Sequence, residues 1–414
     1  MSSFLNYLLG QVADNYDNIR VPLSAKQRET IKKVYPYYGA QNIIDYVDDY
    51  IFDGEYILVA EDGENLKSQN NNVCNLVNGK FWVNNHAHII KAKNDFNTKY
   101  LYYYLNLVNF KPFITGSAQP KLTKDNLNLI PLQLPDLPTQ KAIAKVLSDL
   151  DAKIELNNKI NQELEAMAKT LYDYWFVQFD FPDENGKPYK SSGGKMVYNE
   201  ELKREIPNGW KVVKIGNVLK TVLGGTPKTK NIDFWNGDIP WLNSGEIANF
   251  PIINSEAKIT NEAINQSATA LMKKGTVLIS ITRHLRPSIL AIDACANQSV
   301  VGILETNTIK SSFIYPTLKN EIPRYMALRT GAQQPHINKE TIDETFIILP
   351  QMETLEKYYK IVNPIYSKII NTTFQNQQLI ALRDWLLPML MNGQVVPTSL
   401  NNQTMHSQSE PTVH

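Results

Sequence analysis

The 414-residue chain carries 42 Lys and Arg against 41 Asp and Glu, a net charge of +1, with 43% hydrophobic and 20% charged residues. That length corresponds to about two or three folding units of globular composition, and no apolar run approaches the roughly 20 residues a membrane-spanning helix needs. Two cysteines, Cys74 and Cys295, exclude a disulfide framework and a multi-thiolate metal site, and the balanced charge does not by itself announce a nucleic-acid binder.

The opening MSSFLNYLLGQVADNY lacks the basic-then-apolar layout of a signal peptide, so a cytoplasmic protein with no membrane partner is expected. Residues 1–136 read as a first mainly β domain. GEYILVAEDG from Gly54 opens as a strand after a Gly turn, and KFWVNNHAHIIKAK supplies later strands. The stretch from Asp45 to Glu64 holds eight acids and no Lys or Arg. At its end, GSAQPKLTKDNLNLIPLQLP from Gly116 returns as GAQQPHINKETIDETFIILP from Gly331, an offset of 215 residues. A duplicated unit is the economical explanation.

From Pro138, a residue suited to the first turn of a helix, no Gly or Pro follows until Pro182. The pattern predicts a helix over 137–178 whose seam runs through Ile143, Leu147, Leu150, Ile154, Leu164, Ala168, Leu171 and Trp175, with Asn157 and Asn161 at its centre. Residues 179–209, rich in Gly, Pro, Ser and charge, read as a linker with a short helix near Glu200 to Arg204. Lys187 to Lys230 holds ten basic residues against three acids, a stretch that suits phosphate neutralisation or a solvated linker face.

Residues 210–350 form the second mainly β domain, with GTVLISITRH from Gly275 and ACANQSVVGILE as strands. A second helix over 351–391 places Tyr358, Val362, Ile365, Ile369, Leu379, Leu386 and Leu390 on its seam, again with a polar centre at Thr372 and Asn376. The matched centres point to an α+β architecture in which the two long helices pair as an antiparallel coiled coil, buried amides fixing register. Separate packing of each helix on its own domain is the alternative. Pro364 should kink or restart the second helix, and Arg383 stands where the first has Ala168. The tail, 392–414, is polar and reads as disordered.

Catalytic chemistry finds no support. No glycine-rich cofactor turn is present, Asn363-Pro364-Ile365-Tyr366 lacks the second proline of an amino-methylating loop, and Gly224-Gly225-Thr226-Pro227-Lys228-Thr229 lacks phosphate-loop spacing. His86 and His88 lack a third metal ligand nearby and read as core or surface residues. Base-reading side chains cluster instead. Arg and Lys match guanine, and Asn and Gln match adenine, through the donors and acceptors of those edges. The candidates are Ser24, Lys26, Gln27, Arg28, Tyr37, Tyr38, Gln41 and Asn42 in the first domain, and Lys228, Thr229, Lys230, Asn243, Ser244, Glu246, Arg283, His284 and Arg286 in the second. The repeated loops add Gln119, Lys121, Gln334 and His336 as phosphate-contacting or loop-positioning residues.

RVPLSAKQRETIKKVYPYYGAQNIIDYVDDYIFDGEYILVAEDG, FWVNNHAHIIKAK, LPDLPTQKAIAKVLSDLDAKIELNNKINQELE, MAKTLYDYWFVQFDFP and IPNGWKVVKIGNVLKTVLGGTPKTKNIDFWNGDIPWLNSGEI together resemble the specificity subunit of type I restriction-modification systems. The resemblance spans residues 10 to 397. It implies a non-catalytic subunit whose two target-recognition domains each read one half of a bipartite site on double-stranded DNA. The helices would act as spacer and as docking surface for two methyltransferase subunits. No cofactor would be bound by this chain: S-adenosylmethionine would come with the methyltransferases, and ATP and magnesium with restriction/translocase subunits. One departure is expected to matter: at constant offset, the Pro-x-x-Trp opening at Trp210 has no counterpart in the first domain, which is then trimmed or completed by residues near the C-terminal tail. The competing classes are a single-chain methyltransferase or nuclease, and a coiled-coil scaffold without DNA readout.

Overall fold

The computed structural model describes residues 4–63, 65–68, 72–116, 120–282, 284–331, 335–395 and 397, so Gln119, Arg283, Gln334 and most of the expected tail lie outside the described residues. The chain forms two compact units: unit 1 takes residues up to Lys153 together with those from Leu379, and unit 2 takes Ile154–Gln378.

The repeat read from the sequence is a repeat of topology. In unit 1, Ala13–Asn15, Ala87–Ala92, Tyr56–Ala60 and Cys74–Val77 lie side by side in that order as a four-stranded antiparallel sheet. In unit 2 the matching order is Thr221–Leu223, Val300–Ile303, Val277–Ser280 and Pro287–Ile289. The central strands are continuous apolar runs because both faces are covered: Ile57, Leu58 and Val59, like Val277, Leu278 and Ile279, have no exposed surface. Gly54 and Gly275, at φ of 126° and 91°, make the turns ahead of these strands in a region where a Cβ would be strained.

A second sheet contains a parallel pair in each unit: Tyr35–Tyr38 beside Lys80–Val83, and Ile239–Leu242 beside Cys295–Ala296. Each unit is closed by a short antiparallel pair, Leu5–Leu8 with Pro131–Leu134 and Lys211–Lys214 with Phe346–Leu349. Leu5 faces Leu134 as Lys211 faces Leu349, so Phe4 occupies the place of Trp210. The expectation that Trp210 lacks a counterpart is thereby corrected: the copies differ in length between opening strand and glycine turn, and a constant offset overshoots. Phe4 comes close to Gly393, from the end of the chain.

The first long helix runs Leu137–Tyr172 and ends in one π-helical turn, Asp173–Val177, while the second runs Met352–Met391 without a break. Pro364 does not interrupt it. Tyr358, Val362 and Tyr366 on either side are buried in the core of unit 2, and that packing outweighs the lost backbone hydrogen bond. Segment 179–209 is no bare linker. Phe179, Phe181 and Ile206 are buried in the same core, and Met196–Asn199 pairs with Arg204–Pro207 around a turn at 200–203, where a short helix was expected.

Along the helix seams Ile143, Leu147, Val362 and Ile369 are buried, while Leu150, Ile154, Leu164, Leu171, Ile365, Leu379 and Leu386 are half-buried. Within unit 2, Asn157 Nδ2 donates to Asn376 Oδ1 at 2.8 Å and to Gln375 Oε1 at 2.9 Å, Asn376 Nδ2 donates to Asn158 Oδ1 at 2.8 Å, and Asn161 Nδ2 reaches Thr373 Oγ1 at 3.2 Å. Rising numbers on one helix meet falling numbers on the other, so the contacts run antiparallel. Thr372 differs from expectation: its hydroxyl bonds back to the Lys368 carbonyl at 2.8 Å, and Thr373 makes the contact across. Within unit 1, Arg383 Nη1 meets Asp151 Oδ1 at 2.8 Å, and the Tyr103 hydroxyl donates to the same carboxylate at 2.5 Å.

Candidate nucleic-acid interface

The unit 1 candidates divide into inward-facing and outward-facing groups. Ser24 caps the short helix Ala25–Glu29, accepting from Gln27 N at 3.3 Å, while Gln27 Oε1 accepts from Ser24 N at 2.9 Å, a reciprocal box that satisfies both. Tyr37 is 1% exposed, with its hydroxyl accepting from Leu23 N at 2.9 Å. Arg28 pairs with Asp45 at 2.5 Å and lies 5.0 Å from the centroid of the Tyr37 ring. Asp45, hydrogen-bonded first by Lys33 and then by Tyr46 N–H and Arg28, has its carboxyl lowered to about 2. Arg28 and Tyr37 are thus engaged within the domain. Tyr38 is half-buried against Phe81, and Lys26 and Asn42 are exposed. Gln41 is half-buried, and its carbonyl accepts from Asn75 Nδ2 at 2.5 Å.

The repeated loops arrive at equivalent places. Lys121 forms a β-bridge with Asp62, and His336, 215 positions later, forms one with Thr282. In unit 1 this brings Lys121 Nζ to 3.1 Å from Glu61, beside a network that residue types alone did not reveal. Arg20 Nη1 meets Glu61 at 2.8 Å, His88 Nδ1 meets Asp17 at 2.5 Å and His88 Nε2 meets the Leu122 carbonyl at 2.8 Å, and His86 meets Asp62 at 2.6 Å. The pairing of strand ends creates it.

Burial alone would raise the Asp17 carboxyl, but the hydrogen bond and charge of His88 and the Ile89 N–H carry it below its ordinary value. Burial likewise raises Glu61, and Arg20 and Lys121 outweigh it. Both carboxylates therefore stabilise the fold above their unfolded values of about 4, and that contribution fades as pH falls through the lowered folded values. Acid titration should release amide protection at Ile89, whose N–H donates to Asp17 Oδ1 at 2.9 Å, and Asp17→Asn should flatten that dependence in hydrogen exchange.

In unit 2 the structure gathers four candidates. Asn243, Ser244, His284 and Arg286 line one open pocket of about 320 Å³ with Gly245, Ala248, Ser280 and Thr282. Ser280 and Thr282 were missed, being ordinary strand residues until the hairpin folds. Glu246 serves the turn rather than the pocket, its carboxylate accepting from Asn243 N and Glu256 N at 2.8 Å each. A second surface lies on the loop 224–230. A Cβ on Gly224 would sit 2.1 Å from the Asn297 carbonyl oxygen, so the backbones touch there, and Trp241 Nε1 pins the Gly225 carbonyl at 3.0 Å. That loop presents Lys228, Thr229 and Lys230 exposed, neither lysine having an acidic partner among the described residues. Among the described residues no group of three or more His, Cys, Asp and Glu is placed to hold a metal ion, and no helix is long and apolar enough to cross a membrane.

Two matched β-units, each joined to a long helix and each carrying polar groups at equivalent strand ends, define a duplicated recognition protein. The chain matches the family described as the type I restriction modification DNA specificity domain twice, over residues 5–166 and 207–381, and belongs to it. It is similar to the MjaIX specificity subunit of Methanocaldococcus jannaschii, 29% identical over 318 residues, covering 74% of this chain and 71% of that one. It is also similar to a type I restriction enzyme specificity subunit of Haemophilus influenzae, 34% identical over 279 residues, with 66% and 64% covered. Its fold is that of the crystal structure of the type I restriction-modification S subunit from M. genitalium, with a TM-score of 0.63 and 16% identity over 94% of this chain and 96% of that one. The role of such a subunit is specificity, not catalysis.

Proposed function

We propose that each unit reads one half of a bipartite DNA target for a cytoplasmic type I restriction-modification complex. Two methyltransferase subunits dock on the long helices and bring S-adenosylmethionine; restriction/translocase subunits join through the complex and bring ATP and magnesium. The supporting observation is the duplication itself, in which Lys121 and His336 reach equivalent strand ends through equivalent bridges. Two copies of one reader suit a target in two parts. The long helices, at 36 and 40 residues, are roughly 54 and 60 Å long at 1.5 Å per residue, a length suited to setting the gap between half-sites. Comparing methylated adenines in the host genome with and without the gene tests the proposal: a bipartite methylated sequence should vanish with the gene, and an unchanged pattern would refute it.

Phosphate contacts carry affinity without sequence information, and each one released lowers the slope of log affinity against log salt by about 0.9 on duplex DNA. Replacing Lys228 and Lys230 together by Ala is expected to weaken the reconstituted complex equally on target and random duplexes and to reduce that slope by nearly 2. A scaffold without DNA readout would show no change.

A further inference from the structure

We propose that the pocket of unit 2 is a guanine reader in which Arg286 supplies a two-pronged donor and Asn243 a second donor, so that the half-site of this unit contains a guanine contacted by Arg286. This rests on the DNA-reading function above and deepens it to the base recognised.

The pocket holds one fixed positive charge, Arg286, and no carboxylate; its hydroxyls and His284 can either donate or accept. Asn243 is in a fixed orientation: its Oδ1 accepts from Gly245 N at 2.7 Å and Glu246 N at 3.2 Å, and its own N–H is held by Glu246. Its acceptor is consumed by the turn and only Nδ2 remains to project, which rules out the paired donor and acceptor by which Asn recognises adenine. Arg286 is exposed, and neither its side chain nor that of His284 meets an acidic side chain or another hydrogen-bond partner among the described residues. The guanidinium fork of Arg286, joined by Asn243 Nδ2, can only donate and fits an edge with two adjacent acceptors. Among base edges in the major groove that is guanine, through O6 and N7; the adenine amino group would face donor against donor. A phosphate shares the same acceptor chemistry, and the experiment separates the two.

The backbone on either side of Arg286 is tied down by hydrogen bonds. Its loop closes between Val277–Ser280 and Pro287–Ile289 with Ser280 N donating to the Arg286 carbonyl at 3.2 Å. Ile281 and Leu285 point into the core at 8% and 3% exposure, which leaves 282, 284 and 286 facing outward. Ile281 is clamped on both sides, by the Ser299 carbonyl at 2.9 Å and by Ile337 N at 3.0 Å. Unit 1 differs at the equivalent bridge position, where Asp62 stands for Thr282 and holds His86. The two units therefore present different chemistry and read different half-sites.

The test uses the complex reconstituted with its methyltransferase subunits, selecting bound sequences from a randomised duplex library. Wild type should select at least one invariant guanine in one half-site, and 7-deazaguanine there, lacking N7, should weaken binding roughly five- to hundredfold. Arg286→Lys keeps the charge and loses the fork. It should keep a weakened guanine preference at that one position with the salt slope unchanged, since lysine also matches guanine, whereas Arg286→Ala should become indifferent there and insensitive to 7-deazaguanine. If Arg286→Ala keeps every guanine preference, or if it lowers the salt slope and weakens all sequences alike while selection is unaltered, Arg286 contacts phosphate or nothing and the inference falls while DNA reading stands. If the wild-type complex selects no sequence at all, the DNA-reading function itself fails.

Discussion

Trp210→Ala is expected to lower the stability of unit 2 by about 3–5 kcal/mol, the range for truncating a large buried aromatic residue. Trp210 is 7% exposed and stacks on Phe181, ring centroids 4.8 Å apart at 27°, with Phe179 edge-on at 5.7 Å and Phe176 at 5.9 Å. Phe176 in turn touches Phe313 and Tyr358, so the indole ties the opening of the domain, the segment after the first long helix and the second long helix into one aromatic cluster. Removing it leaves a void lined by rings that cannot close on one another without moving backbone. A urea midpoint followed by tryptophan fluorescence measures the effect; a shift under about 1 kcal/mol would mean that the segment around Phe179 and Phe181 holds its place without the indole. Phe4→Ala, at the equivalent but half-buried position of unit 1, should cost less.

That pair of residues also marks how far the sequence could be read. The repeat, the strands after Gly54 and Gly275, and both long helices were legible, because duplicated spacing and periodicity survive wherever burial imposes them. The Phe4–Trp210 equivalence was not, since the two copies differ in length between the opening strand and the glycine turn, and only strand pairing restores the register. Composition marked side chains suited to DNA contact and gave no direction for them. Asn243, Ser244, His284 and Arg286 do converge. Arg28 and Tyr37, of equally suitable type, turn inward because Asp45, 17 residues on from Arg28, is brought alongside by the antiparallel pairing of Tyr35–Tyr38 with Ile43–Val47. Side-chain chemistry sets what a residue can bind; the neighbouring strand decides whether it faces anything. Pro364 shows the same ordering of effects, a local helix breaker overruled by buried neighbours.

Asn157→Leu is expected to destabilise unit 2 by about 1–3 kcal/mol, whereas the double substitution Asn157→Leu with Asn376→Leu should be near neutral or stabilising. The reason lies in what each leaves behind. The single change removes the donor to Asn376 Oδ1 from a layer where Asn157 and Asn376 are 2% and 6% exposed, stranding a buried acceptor; the double change removes both partners and fills the space with apolar volume. The layer is not optimised for stability, since Asn161 Oδ1 is buried without a partner among the described residues. Apolar side chains would pack there more favourably, so the amides are better explained by register: they bond in one alignment of the helices, while leucines tolerate a shift. If the helices set the distance between half-sites, the double variant, though stable, should methylate targets whose central gap differs by one base pair from the wild-type length, and the wild type should not. A double variant as unstable as the single, with gap preference unchanged, would remove register as the reason for the polar layer.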